Sequence, residues 1–102
     1  MTELLSEPQL ADHLAALPAW HRAGNEIRAE FRAADFAGAL AVVNAVAGRA
    51  EAADHHPDID IRYNRVVFVL STHSAGGLTE KDFHLADQID AAAAAAGAVP
   101  VG

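Results

Sequence analysis

Three of the six histidines in this 102-residue chain stand where a protein could use them for proton transfer. His55 and His56 are adjacent and directly precede Pro57, and His73 closes an apolar run downstream. Imidazole both accepts and donates protons near neutral pH, so histidines gathered at the ends of elements suit general acid/base work. Glu51 and Asp54 lie one turn and one residue before the pair, close enough for a carboxylate to orient a ring or raise its basicity. Three His with nearby carboxylates are also a conceivable zinc set, but two adjacent residues project in different directions, so a shared metal ranks well below acid/base use. The ordinary readings stand beside these. His13, His21 and His84 read as surface or satisfied core residues, and Glu51 as a solvated helix residue. Asp82, three residues after Thr79, reads as helix-start chemistry. Trp20 and Tyr63 read as core aromatics.

These side chains need a scaffold, and the hydrophobic pattern supplies one. Ser6, Pro8 and Gln9 mark a helix start, with Leu10, Leu14 and Leu17 at helical spacing, Leu5 placed to staple against Leu10, and an end before Pro18. The turn Gly24-Asn25 leads into a strand over 26–32, in which Ile27, Ala29 and Phe31 alternate with charged residues. Asp35 caps a long helix whose apolar stripe is predicted to run through Phe36, Leu40, Val43, Ala47 and Ala50, widened by Ala39, Val42 and Val46. A stripe that broad implies contacts on two sides. Pro57 stops the helix near Asp54, leaving His55 and His56 at its exit.

Ile59, Ile61 and Tyr63 alternate through the next strand, a turn at Asn64-Arg65 follows, and Val66 to His73 forms its partner. The unbroken run Val66 to Leu70 implies cover on both faces or a subunit interface. Pairing these two strands returns His73 toward His55 and His56. Thr79 caps a last helix through Leu85, Ile89, Ala92 and Ala96, and a frayed tail is expected over 97–102. The order α-β-β-α-β-β-α gives an α+β two-layer sandwich: a four-stranded antiparallel sheet with three helices on one face.

Length allows one domain, 1–102, with its core over about 5–96. There is no cysteine, which excludes disulfides, thiolate catalysis and thiolate metal sites. A formal charge of -7 with scattered arginines gives no electrostatic footing for nucleic acid. Neither a membrane span nor a signal peptide is expected, and a cytoplasmic location follows from that reading. Alanine supplies much of the 52% hydrophobic content, so the core is thin and self-association is expected.

The segment Glu51 to Pro57, Tyr63 beyond it, Ser71-Thr72-His73, and Gly77 to Asp82 resemble the signature of the pterin-4a-carbinolamine dehydratases in residue type and spacing. Glu30-Phe31 and Asp35-Phe36 extend that resemblance over about Leu10 to Ile89. It implies the α+β sandwich and an enzyme that dehydrates 4a-hydroxytetrahydropterin to quinonoid dihydropterin in tetrahydrobiopterin recycling, with no metal and no cofactor. It also implies catalytic roles for His55 and His73 as an acid/base pair and for His56 in positioning the pterin. Asp54, Ser71, Thr72 and Ser74 would surround the substrate, supported by Glu51 and Asp82. A homodimer or homotetramer built through strand edges and the long helix is implied too. Ile59 replaces an aromatic residue and Ser74 an acidic one found in many members, which bears on pterin side-chain preference. Relatives of this fold serve as a transcription factor's dimerisation partner or as assembly factors, so a protein-binding scaffold is the alternative. A dehydratase for another pterin, as in molybdopterin metabolism, is a further one. The three histidines favour the enzyme.

Overall fold

The computed structural model describes residues 3–101. Its first helix, α1 (Glu7–Ala15), begins with the expected reciprocal cap: the Ser6 hydroxyl accepts from the Gln9 N–H, and Gln9 Oε1 accepts from the Ser6 N–H at 2.8 Å. Two strands, β1 (His21–Ala23) and β2 (Glu26–Arg32), form a hairpin. Helix α2 (Phe36–Ala53) follows, its first turn capped by the Asp35 carboxylate accepting from Gly38 N–H at 2.7 Å. Strands β3 (Asp58–Arg62) and β4 (Arg65–Leu70), a short 3₁₀ turn (His73–Ala75), helix α3 (Glu80–Ala95) and strand β5 (Val99–Pro100) complete the chain.

All strand pairs are antiparallel, in the order β1-β2-β4-β3. Alternation gives the sheet one dry face: Ile27, Ala29 and Phe31 of β2 and Val66, Phe68 and Leu70 of β4 are almost wholly buried, with Phe31 and Phe68 meeting edge to face at 6.1 Å. Helices α2 and α3 supply the opposing layer through Ala39, Val42, Val46, Leu85, Ala86 and Ile89. The α+β sandwich is therefore the observed fold. Among the described residues, no helix is long and apolar enough to cross a membrane.

Several details depart from the sequence reading. The tail is not frayed through Val101: Gly97 (φ 82°) turns the chain back, Ala98 is buried, and β5 pairs with Phe31 and Arg32 as a fifth strand beside β2. Pro100 is tolerated there because an edge strand can spare one N–H. Gly102 lies outside the described residues.

The turn between β3 and β4 is Tyr63-Asn64, one residue earlier than expected, since Arg62 faces Arg65. Asn64 fixes it by donating its side-chain amide to the Ala33 carbonyl at 2.9 Å and accepting the Ala33 N–H at its own carbonyl at 2.8 Å. Tyr63, at φ 52°, is 69% exposed and is no core residue, whereas Trp20 is buried as expected.

On α2 the buried line is Ala39, Val42, Val46 and Ala50, while Phe36, Leu40 and Ala47 face out. Both lines have helical spacing; the small side chains were turned inward because they let α2 approach α3 closely. Finally, β4 ends at Leu70 and not at His73, which opens the following 3₁₀ turn; within the strand Val66, Phe68 and Leu70 face the helices. Val67 and Val69 lie across from Glu30 and Arg28, whose aliphatic stems can shield them.

Trp20 donates its indole N–H to Asp90 at 2.9 Å. Burial pushes the Asp90 carboxyl above the usual carboxylate range, opposed by that indole hydrogen bond and helped by the charge of Asp87. A raised folded-state pKa makes a contribution that is fully present below the unfolded value, 3.8, and is lost as pH rises through the folded value. Asp90→Asn keeps an acceptor for the indole and cannot ionise. Urea midpoints measured from about pH 3 to 7 should therefore shift in favour of the variant as pH rises; a shift favouring the wild type would mean that the charge on Asp90 is stabilising.

Candidate active site

The exit of α2 places its two histidines in opposite environments. Asp54 adopts the left-handed conformation (φ 49°), which short polar residues tolerate better than most, and its N–H caps Ala50 and Glu51. The His55 N–H then returns to the Ala50 carbonyl at 3.1 Å, closing the helix end as a Schellman-type reversal. Pro57 forbids further helix. The reversal carries the His55 side chain into the protein, where it is 10% exposed, and leaves His56 54% exposed.

His55 Nε2 lies 2.7 Å from Asp82 Oδ1, and Asp82 is completely buried. The other carboxylate oxygen, Oδ2, accepts from the Thr79 N–H at 2.9 Å and from the Thr72 hydroxyl at 2.8 Å. Thr72 and Thr79 are themselves joined, hydroxyl to hydroxyl, at 2.8 Å. Asp82 thus completes the α3 capping box with one oxygen and holds a histidine with the other. A buried carboxylate needs such donors to offset its lost hydration. Among the described residues no buried side-chain N or O atom lacks a partner.

His56 pairs with Glu51 at 3.0 Å in an exposed contact. His73 opens the 3₁₀ turn, which Gly76 closes at φ 77° and the Thr72–Gly77 bridge holds at its base. Its side chain is exposed beside an open cleft of about 370 Å³ lined by Asn25, Glu26, Ser71, His73 and Gly76. The Ser71 hydroxyl donates to the Asn25 carbonyl at 2.8 Å. Asp54 and Ser74 are exposed on their turns.

The structure therefore joins His55, Asp82 and Thr72 in one network and sets His73 immediately after Thr72. His56 and Glu51 form a separate exposed pair, and Ser71 shares the cleft with His73. Among the described residues, no three His, Asp or Glu side chains converge as metal ligands would. His13 stacks on Phe83 at 4.7 Å and contacts Glu80, while His84 bonds Gln88. Sequence reasoning treated Thr79 only as a cap and passed over Asn25 and Glu26. The Thr79-to-Asp82 spacing was a legible signal for the box, but nothing in it disclosed the oxygen left for His55.

Comparison with known proteins agrees with this architecture. The family model described as "Pterin 4 alpha carbinolamine dehydratase" matches residues 3–92. A protein of Chloroflexus aurantiacus (strain ATCC 29366 / DSM 635 / J-10-fl), named "Putative pterin-4-alpha-carbinolamine dehydratase", is 60% identical over 84% of this chain and 92% of its own length. A protein of the same name from Nocardia farcinica is 57% identical over 87% of this chain and 94% of its own. The crystal structure of a transcriptional coactivator/pterin dehydratase from Brucella melitensis aligns with a TM-score of 0.84 and 36% identity over 87% of this chain and 97% of that one. A pterin dehydratase-like protein identified as a RuBisCO assembly factor in the alpha-carboxysome shares the fold, at a TM-score of 0.60 and 23% identity over 72% and 86% of the two chains.

Asp82→Ala leaves Thr72, the Thr79 N–H and His55 without their acceptor in a buried site. We expect a loss of about 3 kcal/mol or more in chemical denaturation, whereas Glu51→Ala, which breaks only an exposed pair, should cost almost nothing. Equal effects would mean that the Asp82 network does not hold the fold together.

Proposed function

The chain belongs to the pterin 4 alpha carbinolamine dehydratase family, and from that premise we propose that it eliminates water from a 4a-hydroxytetrahydropterin, using its own histidines as acid and base. In this reaction the C4a–O bond breaks as the hydroxyl leaves with an added proton. The adjacent ring nitrogen gives up its N–H proton, and that electron pair becomes the new C=N bond of the quinonoid dihydropterin. One general acid and one general base suffice.

The contact between His55 and the buried Asp82 carries this reading. A ring held by a buried carboxylate is fixed in orientation before substrate arrives, and it sits in a network whose next residue along the chain is His73. We assign His55 and His73 as the acid/base pair, with His56 positioning the pterin alongside Asp54, Ser71 and Ser74. Glu51 steadies His56 by its hydrogen bond. The setting is cytoplasmic tetrahydrobiopterin recycling, and a different pterin substrate is the nearest alternative.

The proposal includes a homodimer or homotetramer. Phe36 is 49% and Leu40 38% exposed on the outer line of α2, continuous with half-buried Val43, and a second copy would remove that apolar surface from water. The Brucella relative's name supports a second, protein-binding use of the same scaffold.

Stopped-flow absorbance of 4a-hydroxytetrahydropterin decay tests the activity. Folded protein should accelerate decay in the presence of a chelator, and no acceleration would turn the reading toward another pterin or the binding scaffold. His55→Ala and His73→Ala should each lower the rate by roughly 10²-fold or more, and His84→Ala should leave it unchanged. Near-normal rates in both would sink the assignment. For the assembly, Leu40→Glu should shift the light-scattering mass toward the monomer; an unaltered mass would place the interface elsewhere.

A further inference from the structure

The hydrogen bonds around Asp82 run in one direction. The Thr79 N–H can only donate, and it donates to Oδ2. The Thr79 hydroxyl oxygen accepts from the Lys81 N–H at 3.2 Å, so its own proton is available to Thr72. The Thr72 hydroxyl in turn donates to Oδ2. Both protons at this oxygen come from outside the carboxyl group, leaving Oδ1 as the acceptor facing His55 Nε2 at 2.7 Å.

We infer that the Thr79–Thr72–Asp82 chain fixes neutral His55 as the Nε2–H tautomer, and that Thr72 is a positioning residue for this ring and not a substrate contact. Nδ1 is then the nitrogen free to take a proton. It has no hydrogen bond among the described residues, where no buried polar side-chain atom is left unpartnered, so it reaches the solvent side. Thr72 is 3% exposed with its hydroxyl committed to Thr79 and Asp82, which removes it from the substrate-facing set that the family resemblance implied.

The directionality has a specific consequence for Asp82→Asn. The amide oxygen must occupy the Oδ2 position to satisfy Thr72 and the Thr79 N–H, which turns the amide NH₂ toward His55. Nε2 must then accept, and the ring proton moves to Nδ1.

Long-range ¹H–¹⁵N NMR of the imidazole rings, recorded without substrate at about pH 8.5 where imidazoles are ordinarily neutral, reads the tautomer directly. The expected result is an Nε2–H ring for His55 in the wild type and an Nδ1–H ring in Asp82→Asn. An Nδ1–H wild type, or an Asp82→Asn protein that keeps Nε2–H, would overturn the inference.

Thr72 provides a second arm should Asp82→Asn fail to fold. Thr72→Val should lower kcat roughly tenfold with KM unchanged, and Thr72→Ser should restore it. A raised KM with normal kcat would make Thr72 a substrate contact and overturn its assignment. The catalytic role of His55 rests on the proposed dehydratase reading, whereas its tautomer does not. A protein inactive toward hydroxypterin would still give a tautomer result, so the two failures are distinguishable.

Discussion

A carboxylate with no solvent exposure is the constraint around which this small protein is arranged. Asp82 can remain buried only while donors from three separate places reach it: the Thr79 N–H at the start of α3, the Thr72 hydroxyl just past β4, and the His55 ring just past α2. Each element must therefore end where it does. The left-handed reversal at Asp54 turns His55 inward, and the bridge between Thr72 and Gly77 brings the chain from the sheet to the cap of α3. Stability and site geometry share these bonds.

The histidines differ because their anchoring differs. His55 is clamped by a buried partner and has one nitrogen left over, while His56 has only an exposed pairing with Glu51 and His73 rides a three-residue turn. A proton-transfer step gains from a ring whose orientation is set before substrate arrives, because no reorganisation is then required during reaction. Exposed rings are better suited to meeting a substrate that enters from water. The two kinds of environment are what a proposed acid/base pair requires of one scaffold.

The surfaces follow a similar division. Alternation gives the sheet a charged outer face, with Val67 and Val69 set among Arg28, Glu30, Asp58 and Asp60. Such a face is adequately matched to water. Helix α2 lacks that match: its small residues pack inward, so its larger Phe36 and Leu40 are left outside.

Local chemistry in the sequence determined the element order, the caps at Ser6, Asp35 and Thr79, the stop before Pro57, and the alternation of β2, because each depends on neighbours within a few residues; the expected alternation of β3 was not realised, since Ile59 is exposed and Ile61 only half-buried. The histidines' positions at element ends followed from the same signals, and the resemblance to a pterin dehydratase family lay in contiguous motifs. Tertiary structure decided which of two equally apolar lines on α2 faced inward, that Val99 and Pro100 would pair with β2, and that Tyr63 would stand in solvent. It also decided that adjacent His55 and His56 would occupy opposite environments. Most of all, it decided the second role of Asp82. A capping box engages one carboxylate oxygen within its own helix turn, whereas the partner of the other oxygen came from 27 residues away, a distance in sequence that only packing could close.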